Sequence, residues 1–210
     1  MSNLESLLAA DRLDVGAALA AIQTLIRQGR DPGRYKRLLR HRWERLSQEP
    51  TGLDQEALLR WKQERGYELE GLLIALFALE RLAPLRPYRT NGEQIDGLFE
   101  WQGRYFLLEA KWHESPSPAS EIFAFRGKLE GKLNGTMGVF VSVNGFSPDA
   151  PNALIWGKEI NVILFDGEDV IFSLDDRYSF SQVLQVKLRR AAQRGEVYYT
   201  FERFLDEQVI

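Results

Sequence analysis

Two prolines, Pro84 and Pro87, divide this chain into parts with different hydrophobic periods. Before them, apolar residues recur at helical spacing; after them, three strand-like runs follow one another in close succession. Helices that give way to strands joined by tight turns must pack against a sheet, so a mixed α/β arrangement is expected.

Residues 4–28 read as one helix, with Leu7, Leu8, Leu19, Ile22, Leu25 and Ile26 on its apolar side. "DPG" at 31–33 breaks it, and a second helix follows through Tyr35, Leu38, Leu39, Trp43 and Leu46. After "EPTG" at 49–52, residues 53–65 form a third helix that stops at Gly66. Residues 67–82, "YELEGLLIALFALERL", form a long apolar helix carrying Glu68, Glu70 and Glu80. Strands are expected near 86–90, 94–101 and 104–112, with turns at "NGE" (91–93) and "QG" (102–103). The loop "SPSPAS" leads to a helix at about 121–133, a strand at 138–143 and a short helix through Ile155. Strands at 162–165 and 170–174, joined by "DGED", precede a helix at about 180–193, and "VYYTF" suggests a short final strand. Short hairpins make the first strands antiparallel, and helical crossovers favour parallel neighbours later.

With 210 residues, 44% of them hydrophobic, the chain is long enough for a substantial core. Its formal net charge of −3 does not announce a nucleic-acid binder. It has no cysteine, and His41 and His113 are its only histidines, which argues against disulfides and a structural zinc site. Asp11, Arg12 and Asp14 interrupt the apolar start, so no signal peptide is expected. The apolar run at 72–79 is too short to cross a bilayer, and a cytoplasmic protein without a membrane partner is the expectation.

Within this frame "FLLEAKW", residues 106–112, reads as a core strand that nonetheless carries Glu109 and Lys111. Residues two apart on a strand share a face, so Glu109 and Lys111 lie with Leu107, while Leu108, Ala110 and Trp112 lie opposite. Buried charges must be paired, near the strand end or attached to an ion. The preceding strand supplies Asp96, and the turn at Gln102 and Gly103 folds it back; whether the register brings Asp96 to Glu109 depends on twist and turn. Two converging carboxylates make a hard-oxygen site suited to Mg2+, with Mn2+ as a substitute, and the Ala110 carbonyl is a candidate further ligand. A lysine beside such a site orients or deprotonates a water, or holds developing negative charge, as phosphodiester hydrolysis requires.

"QIDG" at 94–97 followed by "FLLEAKW" resembles the D-x(n)-E-x-K core of the PD-(D/E)XK nuclease superfamily, and more narrowly its Mrr-like restriction endonuclease branch. "GYELEGLLIALF" at 66–77 is similar to the helix before that core, with Glu70 as its matching glutamate. "GTMGVFVSVNGFSPDA" (135–150) and "VILFDGEDV" (162–170) resemble the elements after it. The resemblance implies a restriction-endonuclease-like αβββαβ core with a mixed central sheet at 66–210, preceded by an N-terminal helical region at 1–65. It implies Asp96 and Glu109 as metal ligands, Lys111 as the residue that positions or activates water, and Glu70 on a second metal or a metal-bound water. Ile95 stands where the pattern has proline, and Lys128 and Lys132 lie where relatives often carry a glutamine; either lysine is a candidate contact to the scissile phosphate. The implied activity is a metal-dependent DNA endonuclease in restriction, defence or repair, acting as a homodimer, with RNA as another substrate. The rival reading is a non-cleaving nucleic-acid-binding or scaffold module of the same fold.

Two basic stretches remain. Arg34, Lys36, Arg37, Arg40, Arg42 and Arg45 crowd the second helix, with Arg37 and Arg40 as candidate phosphate contacts. A solvated face, or contact with an acidic part of the same chain, fits equally well. Lys187, Arg189, Arg190 and Arg194 form a second such surface. Gly127, Gly131 and Gly135 in "RGKLEGKLNG" lack P-loop spacing and are expected to permit close packing. Trp43, Trp61, Trp101 and Trp156 are assigned to the core or to helix contacts, His113 to a loop edge, and Ser142 and Ser147 have no histidine partner for a hydrolase triad.

Overall fold

The computed structural model describes residues 3–90, 92–154 and 160–208. Four helices come first: α1 (Asn3–Ala9), α2 (Val15–Arg27), α3 (Lys36–Leu46) and α4 (Gln55–Leu79). The single helix expected over 4–28 is therefore two. Asp14 ends the linker in an extended conformation and accepts the Ala17 N–H at 2.9 Å, which starts α2 afresh. Apolar spacing runs on across that break, so periodicity does not reveal it.

The two helices expected on either side of Gly66 are one. Asp54 caps α4, which passes Gly66 without a break and continues to Leu79. A mid-helix glycine costs only about 1 kcal/mol, and the continuous burial of residues 69–79 outweighs it. Left-handed Arg81 and Ala83 then turn the chain toward Pro84.

Strands β1 (Tyr88–Thr90) and β2 (Glu93–Ile95) form a separate antiparallel hairpin. Strands β3 (Gly97–Trp101), β4 (Arg104–Lys111), β5 (Met137–Ser142) and β6 (Val162–Asp166) form the main sheet in that order. The β3–β4 pair is antiparallel and turns through Gln102 and Gly103, both at positive φ; β4–β5 and β5–β6 are parallel. The expected mixed sheet is thus present. The strand expected over 94–101 is divided at Asp96, because β2 pairs with β1 while β3 pairs with β4. Gly97 is needed at the division: a Cβ there would lie 2.6 Å from the Ile74 side chain of α4.

Helices α5 (Ala119–Glu130) and α6 (Ala150–Ala153) cover one sheet face, where Leu107, Phe140 and Leu164 meet Ile122, Phe125 and Leu129. The other face, through Leu108, Val139, Val141 and Phe165, packs on α4 and on α8 (Phe180–Arg194). The same hydrophobic cluster extends through Leu8, Ile22, Leu39 and Trp43 of the N-terminal helices. Residues 155–159, with Trp156 and the end of the helix expected through Ile155, lie outside the described residues, as does Asn91 of the "NGE" turn.

Two expected strands are not strands. Residues 167–174 form helix α7 (Gly167–Leu174). "DGED" is a capping box rather than a hairpin turn: Asp166 accepts the Asp169 N–H at 2.9 Å, and Asp169 accepts the Asp166 N–H at 3.1 Å. "VYYTF" runs extended without joining the ladder, although the Val197 carbonyl accepts the Leu164 N–H, and Phe201 begins α9 (Phe201–Gln208).

Several basic residues expected at the surface are internal. Arg42 is 1% exposed, donating to the Leu8 and Asp11 carbonyls and to Glu68 at 2.5 Å. Lys36 donates to the Tyr178 carbonyl and lies 3.8 Å from Glu80. On α8, Lys187 is also buried, 2.6 Å from Asp169, so it belongs to no basic surface. For Arg42 and Lys36, contact with acidic groups of the same chain is the reading that holds, whereas Lys187 is neither a phosphate contact nor solvated. Long aliphatic stems place these residues among apolar neighbours while their charged ends reach partners, which composition does not disclose.

Candidate active site

The carboxyl end of β4 lies between α4 and α5, and the division between β2 and β3 places Asp96 beside it. Gly97 pairs with Leu108, so the chain reaches Asp96 opposite the level of Glu109 and Ala110. Asp96 Oδ2 accepts the Ala110 N–H at 3.1 Å, which fixes the carboxylate at the strand end. Glu109 and Lys111 point to the side of α5, as strand alternation requires. Lys111 Nζ lies 2.8 Å from Glu109 Oε1 and 3.9 Å from Asp96 Oδ2. Register and turn therefore bring together the three residues that sequence places thirteen and two positions apart.

Lys128 of α5 completes this cluster. It donates to Glu109 Oε2 at 2.6 Å and to the Gln94 carbonyl at 2.9 Å. Lys132, just beyond the end of α5, reaches Glu93 at 3.4 Å instead. Arg37 and Arg40 stand with Asp176 and Asp175, at 3.9 Å and 3.3 Å. Gly127 and Gly131 do not serve packing: a Cβ at either would meet no atom within 4 Å.

Glu70 approaches from α4. It is 9% exposed, compared with 3% for Asp96 and 6% for Glu109. Burial, reinforced by the negative charge of Asp96, pushes its carboxyl up to about 8, so it is largely protonated at neutral pH. Burial and the nearby Glu109 raise Asp96 as well. Burial alone would lower Lys111, but Glu109 and Asp96 outweigh it and hold the group as an ammonium. His113 pairs loosely with Glu121 at 3.4 Å.

The cleft over this cluster has a volume of about 620 Å³, with Gln63, Tyr67, Glu70, Asp96, Lys111 and His113 along it. Its outer wall is the first half of α4. Arg65 lies over the rings of Trp61 and Trp112, at 4.6 Å and 4.8 Å, and Trp112 stacks on Trp43. Tyr67 lies one turn before Glu70 and is 54% exposed in the cleft; its spacing from Glu70 is the sequence signal that could have marked it.

The donor set fits a hard divalent cation. Asp96, Glu109 and Glu70 offer carboxyl oxygens, and burial, with their carboxylate neighbours second, shifts Glu70 and Asp96 upward, which a bound cation would oppose. Among the described residues, no three acidic or histidine side chains already stand grouped for an ion. Glu109 is instead bridged by Lys111 and Lys128, whose ammonium groups occupy the cationic role.

No curated protein and no solved structure matches the chain. Residues 62–174 match the model of the Mrr catalytic domain, described as a restriction endonuclease. That span begins within α4, ends with α7 and contains Glu70, Asp96, Glu109, Lys111 and Lys128. By this match over more than half its length, and by its mixed sheet flanked by helices, the chain belongs to the Mrr-type restriction endonuclease family.

Proposed function

We propose that this chain is a divalent-metal-dependent endonuclease that hydrolyses phosphodiester bonds in DNA. The observation that carries the reading is the convergence of Asp96, Glu109 and Lys111 at one strand end, within 2.8–3.9 Å of the lysine nitrogen. Asp96 and Glu109 would hold the Mg2+ ion, with Mn2+ as a substitute, together with the Ala110 carbonyl and Glu70. A bound ion supplies neutralisation of phosphate oxygens and a water of lowered pKa. Lys111, an ammonium fixed by Glu109, orients the attacking water and offsets charge that builds on the phosphoryl oxygens. Lys128, which donates to Glu109 at 2.6 Å, would be the group whose positive charge is available to the scissile phosphate. Glu70 would serve as a ligand only in its deprotonated form.

DNA is the proposed substrate, with the cytoplasm as the proposed location. One site per chain makes a homodimer the proposed unit for cutting both strands. Incubation of the protein with plasmid and Mg2+ or Mn2+ tests the activity. Cleavage that requires the ion and is lost in Lys111→Ala is expected; no cleavage with either metal, or cleavage unchanged in that variant, sinks the proposal.

One observation favours a second reading, a binding module that does not cut: both oxygens of Glu109 already hold lysines. Calorimetry separates the two. A nuclease site binds Mg2+ and loses it in Asp96→Asn, whereas a closed salt-bridge cluster binds none.

A further inference from the structure

A second pocket, of about 370 Å³, adjoins the cleft and shares Tyr67, Glu70 and Gln94 with it. Its remaining walls come from three parts of the chain: Arg12 and its neighbours in the α1–α2 linker, Glu68 and Gly71 on α4, and Tyr88 with Arg89 on β1. The placement of Arg12 is built rather than incidental. Leu13, next to it, is buried and donates its N–H to Glu68 at 3.1 Å, and Glu68 is itself clamped by Arg42. Val15 and Leu13 lie so close on α4 that a Cβ at Gly71 would come within 2.9 Å of Val15. Gly71 thus lets the linker rest on the helix that carries Glu70, which brings Arg12 to the site. Across the pocket, Arg89 pairs in register with Gln94, two residues before Asp96.

The side chains of Arg12 and Arg89, like those of Arg30, Arg81, Arg86, Arg189 and Arg194, have neither a hydrogen-bond nor an ion-pair partner among the described residues, whereas Arg37, Arg40, Arg42, Arg45, Arg60, Arg177, Arg190 and Arg203 all have acidic partners; Arg12 and Arg89 are the two of the unpaired set that line this pocket. Two uncommitted guanidinium groups beside an exposed phenol ring form the chemistry that receives a nucleotide: charge for phosphate and a flat face for a base. The size falls within the range of pockets for small ligands.

We infer that this pocket is a subsite for the nucleotide flanking the scissile phosphate, with Arg12 and Arg89 on its phosphate and Tyr67 against its base. The inference rests on the nuclease reading and deepens it, since it assigns the N-terminal linker a share in gripping the substrate strand. The strand passes from the wide cleft, over Glu109 and Lys111, into this pocket.

The test is binding of a fluorescein-labelled single-stranded DNA oligonucleotide to the full chain, by anisotropy, in EDTA so that no cleavage intervenes. Arg12→Ala/Arg89→Ala is expected to weaken binding at least tenfold and to reduce the slope of log affinity against log salt by about 0.7, the value for one lost single-strand phosphate contact. Tyr67→Ala is expected to weaken binding about fivefold or more without changing the slope, and Tyr67→Phe to restore it. All three side chains are exposed, and thermal melts check that the variants fold. Unchanged affinity and slope in the double variant, with metal-dependent cleavage intact in the wild type, overturns the subsite and leaves the nuclease reading standing. A wild type that neither binds the oligonucleotide nor cleaves plasmid overturns both.

Discussion

Two of this molecule's buried charge clusters, one between α7 and α8 and one at the end of β4, are built differently. Between α7 and α8, Asp169 accepts from Lys187 at 2.6 Å, from the Phe201 N–H at 2.8 Å and from the Asp166 N–H. Lys187 in turn donates to the Tyr199 carbonyl at 2.7 Å and lies over the ring of Phe165. Both residues are at most 1% exposed. At the end of β4, three acidic groups face two lysines beneath an open cleft, and Glu70 has no hydrogen-bond donor among the described residues. The first cluster is closed: one acid, one base and backbone groups that satisfy the remaining valences. The second carries unbalanced acid next to solvent. A closed pair fixes where α9 begins and how α7 meets α8; an open one retains capacity for a ligand.

Removing one partner should therefore have opposite effects in the two places. Lys187→Met leaves Asp169 buried without its counter-charge, which costs about 3–5 kcal/mol. Urea denaturation should show that loss, with a fall in melting temperature of roughly 10 °C. Lys187→Met with wild-type stability would break the contrast. Lys111→Ala leaves Glu109 still paired with Lys128 at 2.6 Å, so it should cost clearly less stability than Lys187→Met. Its cleavage rate should nevertheless fall about 100- to 1,000-fold, the usual effect of deleting one preorganised donor. Equal losses of stability and activity would place Lys111 among the structural residues.

The open cluster also has a pH signature. Glu70 has a folded pKa of about 8 against an ordinary 4.5, so folding favours its protonated form. Its contribution to stability is fully present below about 4.5 and is lost as pH rises through about 8. Between these limits the metal-free protein should lose on the order of 2 kcal/mol, less than the full shift implies because solvent in the cleft screens the charge. Denaturation curves at pH 5 and pH 8.5 measure this, and Glu70→Gln should flatten the difference. A slope that persists undiminished in the variant assigns the effect elsewhere.

Sequence disclosed the open cluster better than the closed one. Asp96, Glu109 and Lys111 stand out because charge inside an apolar strand conflicts with its surroundings, whereas Glu70, two residues after Glu68, is marked only by the resemblance of "GYELEGLLIALF" to the family's helix. Lys187 and Arg42 give no such conflict, because each lies on a helix with other bases and reads as solvated. Their burial depends on Asp169 and Glu68, 18 and 26 residues away in sequence, and only tertiary contact shows it. The same limit applies to "DGEDVIFSL". Its apolar residues suit a buried strand as well as a helix, and the reciprocal bonds of Asp166 and Asp169 decide for α7. Arg12 had no signal at all, because the linker's rest on Gly71 is a matter of backbone approach.

The smallest expected effect concerns Gly127, the residue before Lys128. A Cβ there would meet nothing within 4 Å, and the position lies within α5. Gly127→Ala should therefore stabilise the protein by about 0.5–1 kcal/mol through reduced freedom of the unfolded chain. A glycine with no packing role beside an open charged cluster suits close passage of a phosphodiester backbone along α5. The same variant should then bind the labelled oligonucleotide several-fold more weakly while melting at a higher temperature. Higher stability with unchanged affinity would remove α5 from the substrate path and confine the open cluster to the cleft between β4 and α4.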